Sequence, residues 1–236
     1  MKRYWKVTAL LSVSLLFACE EDPILEDSKL VYSFDFKEDV QGWSSGYADY
    51  PVGEDEFYEI HSDWITLPFP LNPAKKSLMI EGNNHSDDLF MFIKRKISGL
   101  DSLTEYEVKF VVEFASNYPE NSFGIGGSPG SSVYLKAGAT LEEPLAVEQE
   151  GMWQMNIDKG NQAEGGEDML VLGNIGTPRE DEQYDLLSRS NDEENTFAIT
   201  TDNKGELWLI VGTDSGFEGK TTLYYNRIKA TFTLKE

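Results

Sequence analysis

Cysteine occurs once in the 236 residues, at Cys19, so no intrachain disulfide can form. Histidine occurs twice, at His61 and His85, and no pair of thiol or imidazole ligands stands at a zinc-site spacing. Basic side chains number 20 against 42 acidic ones, a formal charge of -22. Nucleic acid is thereby excluded as a partner, because phosphate binding needs a basic face. Anionic lipid headgroups repel such a chain as well. Long apolar runs are also missing: residues 7–18 make a run of 12, short of the ~20 that cross a bilayer. Helical periodicity is nearly absent. The acidity does not signal disorder, since hydrophobic residues at 40% and aromatics at 12% are ample for a core.

What is present is alternation. Leu30, Tyr32, Phe34 and Phe36 share one face of a strand. Over 104–115, Tyr106, Val108, Phe110, Val112 and Phe114 point one way and Glu105, Glu107, Lys109 and Glu113 the other. Over 89–97, Leu89, Met91, Ile93 and Ile97 oppose Phe90, Phe92, Lys94 and Lys96. Near the C-terminus, Tyr224, Asn226, Ile228, Ala230, Phe232 and Leu234 alternate with Tyr225, Arg227, Lys229 and Thr231. Residues 206–211 are apolar on both faces and read as a central strand. Shorter strands are expected at 57–67, 77–81, 132–136, 152–157, 169–172 and 195–200, and a weak helix at 180–189. Many short strands between Gly, Pro, Asn and Asp turns predict an all-β fold, an antiparallel β-sandwich or barrel.

Lys2, Arg3 and Lys6 precede the apolar run, the pattern of a secretory signal peptide. The run ends Leu16-Phe17-Ala18-Cys19, which resembles the lipobox of bacterial lipoproteins. The resemblance implies cleavage before Cys19, lipidation of its thiol and a membrane partner held through that lipid. Glu20, Glu21 and Asp22 resemble the acidic signal that sends lipoproteins to the outer cell surface in some Gram-negative lineages. The expected organisation is a signal peptide over 1–18, a lipidated acidic linker over 19–28, and one β-sandwich domain over 29–236. The expected location is the outer membrane or cell surface.

Phe34-Asp35-Phe36, with Asp39 and Gly42-Trp43, resembles the first strand of jelly-roll carbohydrate-binding modules. Gly99-Leu100 with Thr104, Tyr106 and Val108 resembles a middle strand pair of the same sandwiches. Asn83-Asn84-His85-Ser86-Asp87-Asp88-Leu89-Phe90-Met91-Phe92, and Asp214-Ser215-Gly216-Phe217-Glu218-Gly219 ahead of Leu223-Tyr224-Tyr225, resemble an uncharacterised family of secreted or lipid-anchored bacterial proteins. These resemblances imply a jelly-roll-like sandwich whose final strand returns beside the first, acting as a glycan-recognition or surface-interaction module; a structural or adhesion lipoprotein with an envelope protein as partner is the alternative. They imply no catalytic residues.

Several constellations invite chemistry. Gly42-Trp43-Ser44-Ser45-Gly46 and Gly126-Gly127-Ser128-Pro129-Gly130 match the nucleophile elbow, but neither serine precedes a helix and both histidines come before Ser128. Asp87 and Asp88 suggest more. If 89–97 and 104–115 pair as a hairpin, Lys96 faces Glu105, Lys94 faces Glu107, and Asp88 faces Glu113. Opposed carboxylates suit a calcium ion with Asp87, Asp88 and Glu113 as ligands, or an acid/base pair for glycoside hydrolysis or elimination. Asp87 and Asp88 also suit a plain turn that bonds its own backbone. No organic cofactor is expected. For sugar stacking, aromatic rings beside turns are the candidates. Trp43, Tyr47, Tyr50 and Trp64 form the leading cluster, with Tyr58 and Tyr118 also beside turns; Trp153 and Trp208 read as core.

Overall fold

The computed structural model describes residues 23–26, 29–86 and 88–235. Cys19 and Asp87 lie outside the described residues. In chain order the strands are β1 (Ile24–Glu26), β2 (Lys29–Asp35), β3 (Ser44–Ala48), β4 (Tyr50–Pro51), β5 (His61–Thr66), β6 (Lys76–Asn83), β7 (Leu89–Ile97) and β8 (Glu105–Ser116). They continue as β9 (Val133–Thr140), β10 (Ala146–Gln149), β11 (Met152–Met155), β12 (Met169–Asn174), β13 (Asp185–Ser190), β14 (Phe197–Thr200), β15 (Leu207–Ser215) and β16 (Lys220–Leu234). Among the described residues there is no helix, and so none long and apolar enough to cross a membrane.

The chain passes back and forth between two large sheets. One holds β1, β2, β5, β6, β8, β13, β14 and β16; the other runs β12-β9-β15-β7-β3. Pairing within both is antiparallel. The fold is an all-β, jelly-roll-like antiparallel β-sandwich. β16 returns beside β2, pairing Phe232 with Leu30 and Arg227 with Asp35, as expected of the final strand. β15, the apolar stretch, is the central strand of the five-stranded sheet.

The core lies between the sheets, and the alternation places its residues. Phe34 and Phe36 from the first strand region, Leu89, Met91 and Ile93 from β7, and Tyr106, Val108, Phe110, Val112 and Phe114 from β8 all lie in it. Each such side chain contributes roughly 1.5–3 kcal/mol on burial. The opposite face of β7 is buried too. Phe90 and Phe92 stack at 5.6 Å with Ile210 and Met169 beneath a small sheet, β10-β11-β4. Gly46 and Gly212 make room there, because a Cβ on either would fall within 2.4 and 2.7 Å of the Phe92 and Phe90 rings respectively.

Three expectations are corrected. The hairpin between 89–97 and 104–115 does not exist: β7 and β8 belong to different sheets, because the chain crosses the sandwich at Ser98–Thr104. The expected helix at 180–189 is instead β13, an edge strand paired with β8. Its polar alternation leaves Leu187 packed on the core and Leu186 42% exposed. Finally, β16 does not alternate uniformly. A bulge between Tyr225 and Arg227 adds one residue against β8 and reverses the phase, so Tyr225 and Ile228 are both buried while Tyr224 faces outward.

β13 and β14 both run along β8, with the 191–196 turn between them. The Asn191 side chain spans this interruption, accepting from Phe110 N at 2.7 Å and donating to Val108 O at 3.1 Å.

Candidate functional site

The four aromatic residues expected at a sugar site do not form one exposed surface. The turn before β3 bonds Trp43 N to Val40 O and folds the indole inward. There Trp43 packs edge-on against Phe34 and Phe36 at 5.4 and 6.2 Å. Tyr50 is buried against Tyr58 and donates to Asp55. Trp64 donates to Phe36 O, and the Lys76 ammonium lies 3.7 Å from its ring centre. Tyr47 is half-buried and packs on the core. Of the two tryptophans expected in the core, Trp153 is half-buried and packs against it, while Trp208 is half-buried outside it.

The carboxylates separate as well. Glu113 lies on the outer face of the eight-stranded sheet, opposite Ser188 and Arg227, and accepts a hydrogen bond from Asn226. Asp88 precedes β7 on the outer face of the other sheet. The expected charge pairs are replaced accordingly: Lys94 reaches Glu143, Lys96 reaches Glu206 and Lys235 reaches Glu105. Ser128 is a turn residue whose hydroxyl accepts from Gly130 N and Ser131 N. His85 stacks on Phe57 at 4.0 Å.

Asp88 joins a buried charge cluster. Asp214, on β15, is fully buried, and its Oδ2 accepts from Lys136 at 2.8 Å, Lys159 at 2.9 Å and Gln162 N at 3.0 Å. Lys159 also lies 3.0 Å from Asp49. Burial pushes the Asp88 carboxyl up to about 7; Lys159 opposes this, while the negative charges of Asp214 and Asp49 reinforce it. Burial raises Asp49 as well, against the pull of Lys159. Burial lowers Lys136 despite Asp214. For Lys159 the two carboxylates outweigh burial, and its pKa is raised. Lys136 further donates to Lys159 O and Glu164 O, so the cluster ties the 158–167 loop to the sheet. Among the described residues no group of three or more His, Cys, Asp or Glu is arranged to hold a metal ion.

A different group of side chains converges on the outer face of the eight-stranded sheet. Tyr224 from β16, Tyr184 just before β13, and Tyr118 just after β8 are each half-buried and surround Glu81 of β6. Tyr184 and Tyr224 pack edge-to-face, with centroids 5.4 Å apart. The Tyr118 hydroxyl accepts from Thr222 N at 2.8 Å and donates to Lys220 O. Glu81 accepts from the Thr222 hydroxyl at 3.0 Å and lies 3.2 Å from Lys220, which is equally close to Glu59. All three phenols are raised, by burial first and then by the Glu81 charge among other neighbours, so they remain protonated donors at neutral pH. The result is a patch of half-buried rings with the Glu81 carboxylate among them.

Of these residues the sequence marked only Tyr118. The alternation from 224 onward placed Tyr224 with the buried Ile228, and nothing local signals the bulge. Tyr184 sat in a stretch read as a helix.

No protein-family model matches the chain, and no curated protein matches it in sequence. Solved structures are similar in shape. The family 11 carbohydrate-binding module of a Clostridium thermocellum cellulosomal cellulase matches with TM-score 0.41 and 10% identity over 87% of this chain and 96% of that one. The CBM22-1 xylan-binding domain from Paenibacillus barcinonensis matches with TM-score 0.39 and 12% identity over 87% and 95%. The enzymatically active domain of tailspike protein 4 of bacteriophage CBA120 matches with TM-score 0.36 and 10% identity, and this chain spans 20% of its length.

Proposed function

We propose that this chain is a lipid-anchored protein of the cell envelope whose β-sandwich recognises a glycan without transforming it. The observation that carries the reading is the patch of Tyr118, Tyr184 and Tyr224 around Glu81. Sugar recognition needs apolar ring surface for the pyranose face and fixed polar groups for its hydroxyls. Both are supplied here by side chains already held in place by one another, which lowers the ordering cost of binding. The carboxylates considered for catalysis do not favour an enzyme: Asp88 and Glu113 lie on opposite outer faces of the sandwich. The anchor is the lipid expected on Cys19, and the outer membrane or cell surface remains the proposed location.

The test is a glycan-array screen of the protein, run with calcium and again with chelator. Binding to a defined glycan that weakens about tenfold in Tyr184→Ala supports the reading. Binding lost on chelation would instead assign a calcium role. No binding in either condition would overturn the reading in favour of a protein partner.

A further inference from the structure

We infer that the tyrosine patch takes glycans without acidic groups and rejects uronate- or sulfate-bearing ones; this deepens the glycan reading and rests on it. The observation is the charge around the patch. Glu81 lies among the rings and Glu59 beside it, and the Lys220 ammonium is 3.2 Å from each. Two carboxylates therefore share one cation, which both already engage.

An incoming sugar carboxylate or sulfate would meet the net negative charge of Glu81 and Glu59, with Lys220 already held by both. The chain's overall charge of -22 adds to the repulsion at longer range. A neutral chain meets no such barrier. Its hydroxyls can donate to Glu81.

The experiment measures affinity for three probe sets: neutral xylo-, gluco- and manno-oligosaccharides, amino-bearing chitosan oligosaccharides, and the anionic polymers polygalacturonate and heparin. The expected result is binding to at least one neutral or amino-bearing probe, reduced about tenfold by Tyr224→Ala, with no measurable binding to either anionic polymer. A further expected result is that the double variant Glu59→Gln/Glu81→Gln, which frees Lys220, gains affinity for polygalacturonate. Wild-type protein that binds an anionic polymer through the same tyrosines would overturn the class inference while leaving the patch as the site. Absence of binding to every probe would overturn the patch itself.

Discussion

The rings of Tyr184 and Tyr224 meet edge-to-face at 5.4 Å and 89°, although Tyr184 leads into β13 and Tyr224 lies on β16, on either side of β8. Each ring fixes the other. The glycan reading therefore predicts unequal effects for two variants. Tyr224→Ala removes ring surface and unseats Tyr184, and should weaken binding about tenfold or more. Tyr224→Phe keeps the ring and loses only the hydroxyl, and should cost distinctly less. Titration calorimetry with the best glycan decides this, and equal losses would count against stacking.

The core variant provides the contrast. Trp43 lies between Phe34 and Phe36 at 4% exposure. Trp43→Ala should destabilise the chain by ~3–5 kcal/mol in urea unfolding. Where the variant still folds, glycan preference should be unchanged. A changed preference at unchanged stability would restore Trp43 to a binding role.

Asp88 gives the stability a pH dependence. Its unfolded value is 3.8 and its folded value about 7. Between the two, the folded chain holds a proton that the unfolded chain has released. Raising the pH through this window therefore removes stability, and above it Asp88 causes no further change. Asp49, also raised by burial, adds to the same slope. The melting temperature should thus be higher at about pH 5 than at about pH 8. Asp88→Asn should flatten that profile, and parallel profiles for the two proteins would refute the assignment.

The same cluster predicts a local effect. Lys136→Met leaves the fully buried Asp214 with one ammonium fewer and frees the Lys159 and Glu164 carbonyls. Removing one partner of a buried pair costs ~3–5 kcal/mol. Limited proteolysis should then cut first within 158–167. Unaltered protection of that loop would show that Lys136 does not hold it.

Most of the fold was legible because alternation is a direct consequence of strand geometry. Tyr106 to Phe114 and Leu89 to Ile93 faced the core as their spacing required. The pairing of strands was not legible. Lys94, Lys96, Glu105 and Glu107 offered matching charges for a hairpin, yet Lys94, Lys96 and Glu105 pair with Glu143, Glu206 and Lys235 instead, and burial of Phe110 and Ile93 between two sheets decided the topology. The tyrosine patch escaped for a related reason. It depends on one extra residue at Asn226, and a bulge leaves no mark on hydrophobic pattern except an apparent break in it.

The anchor has its own test. Cys19→Ala should release the protein from the membrane fraction into the soluble fraction, and retention would refute lipidation at this residue.

The central claim is that Tyr118, Tyr184 and Tyr224 around Glu81 form a glycan site. The direct measurement is a side-by-side glycan-array screen of the wild-type protein and Tyr184→Ala, with circular dichroism confirming that both are folded. The account predicts a defined glycan bound by the wild type and lost or strongly weakened in the variant. Equal binding by both proteins, or binding by neither, would contradict it.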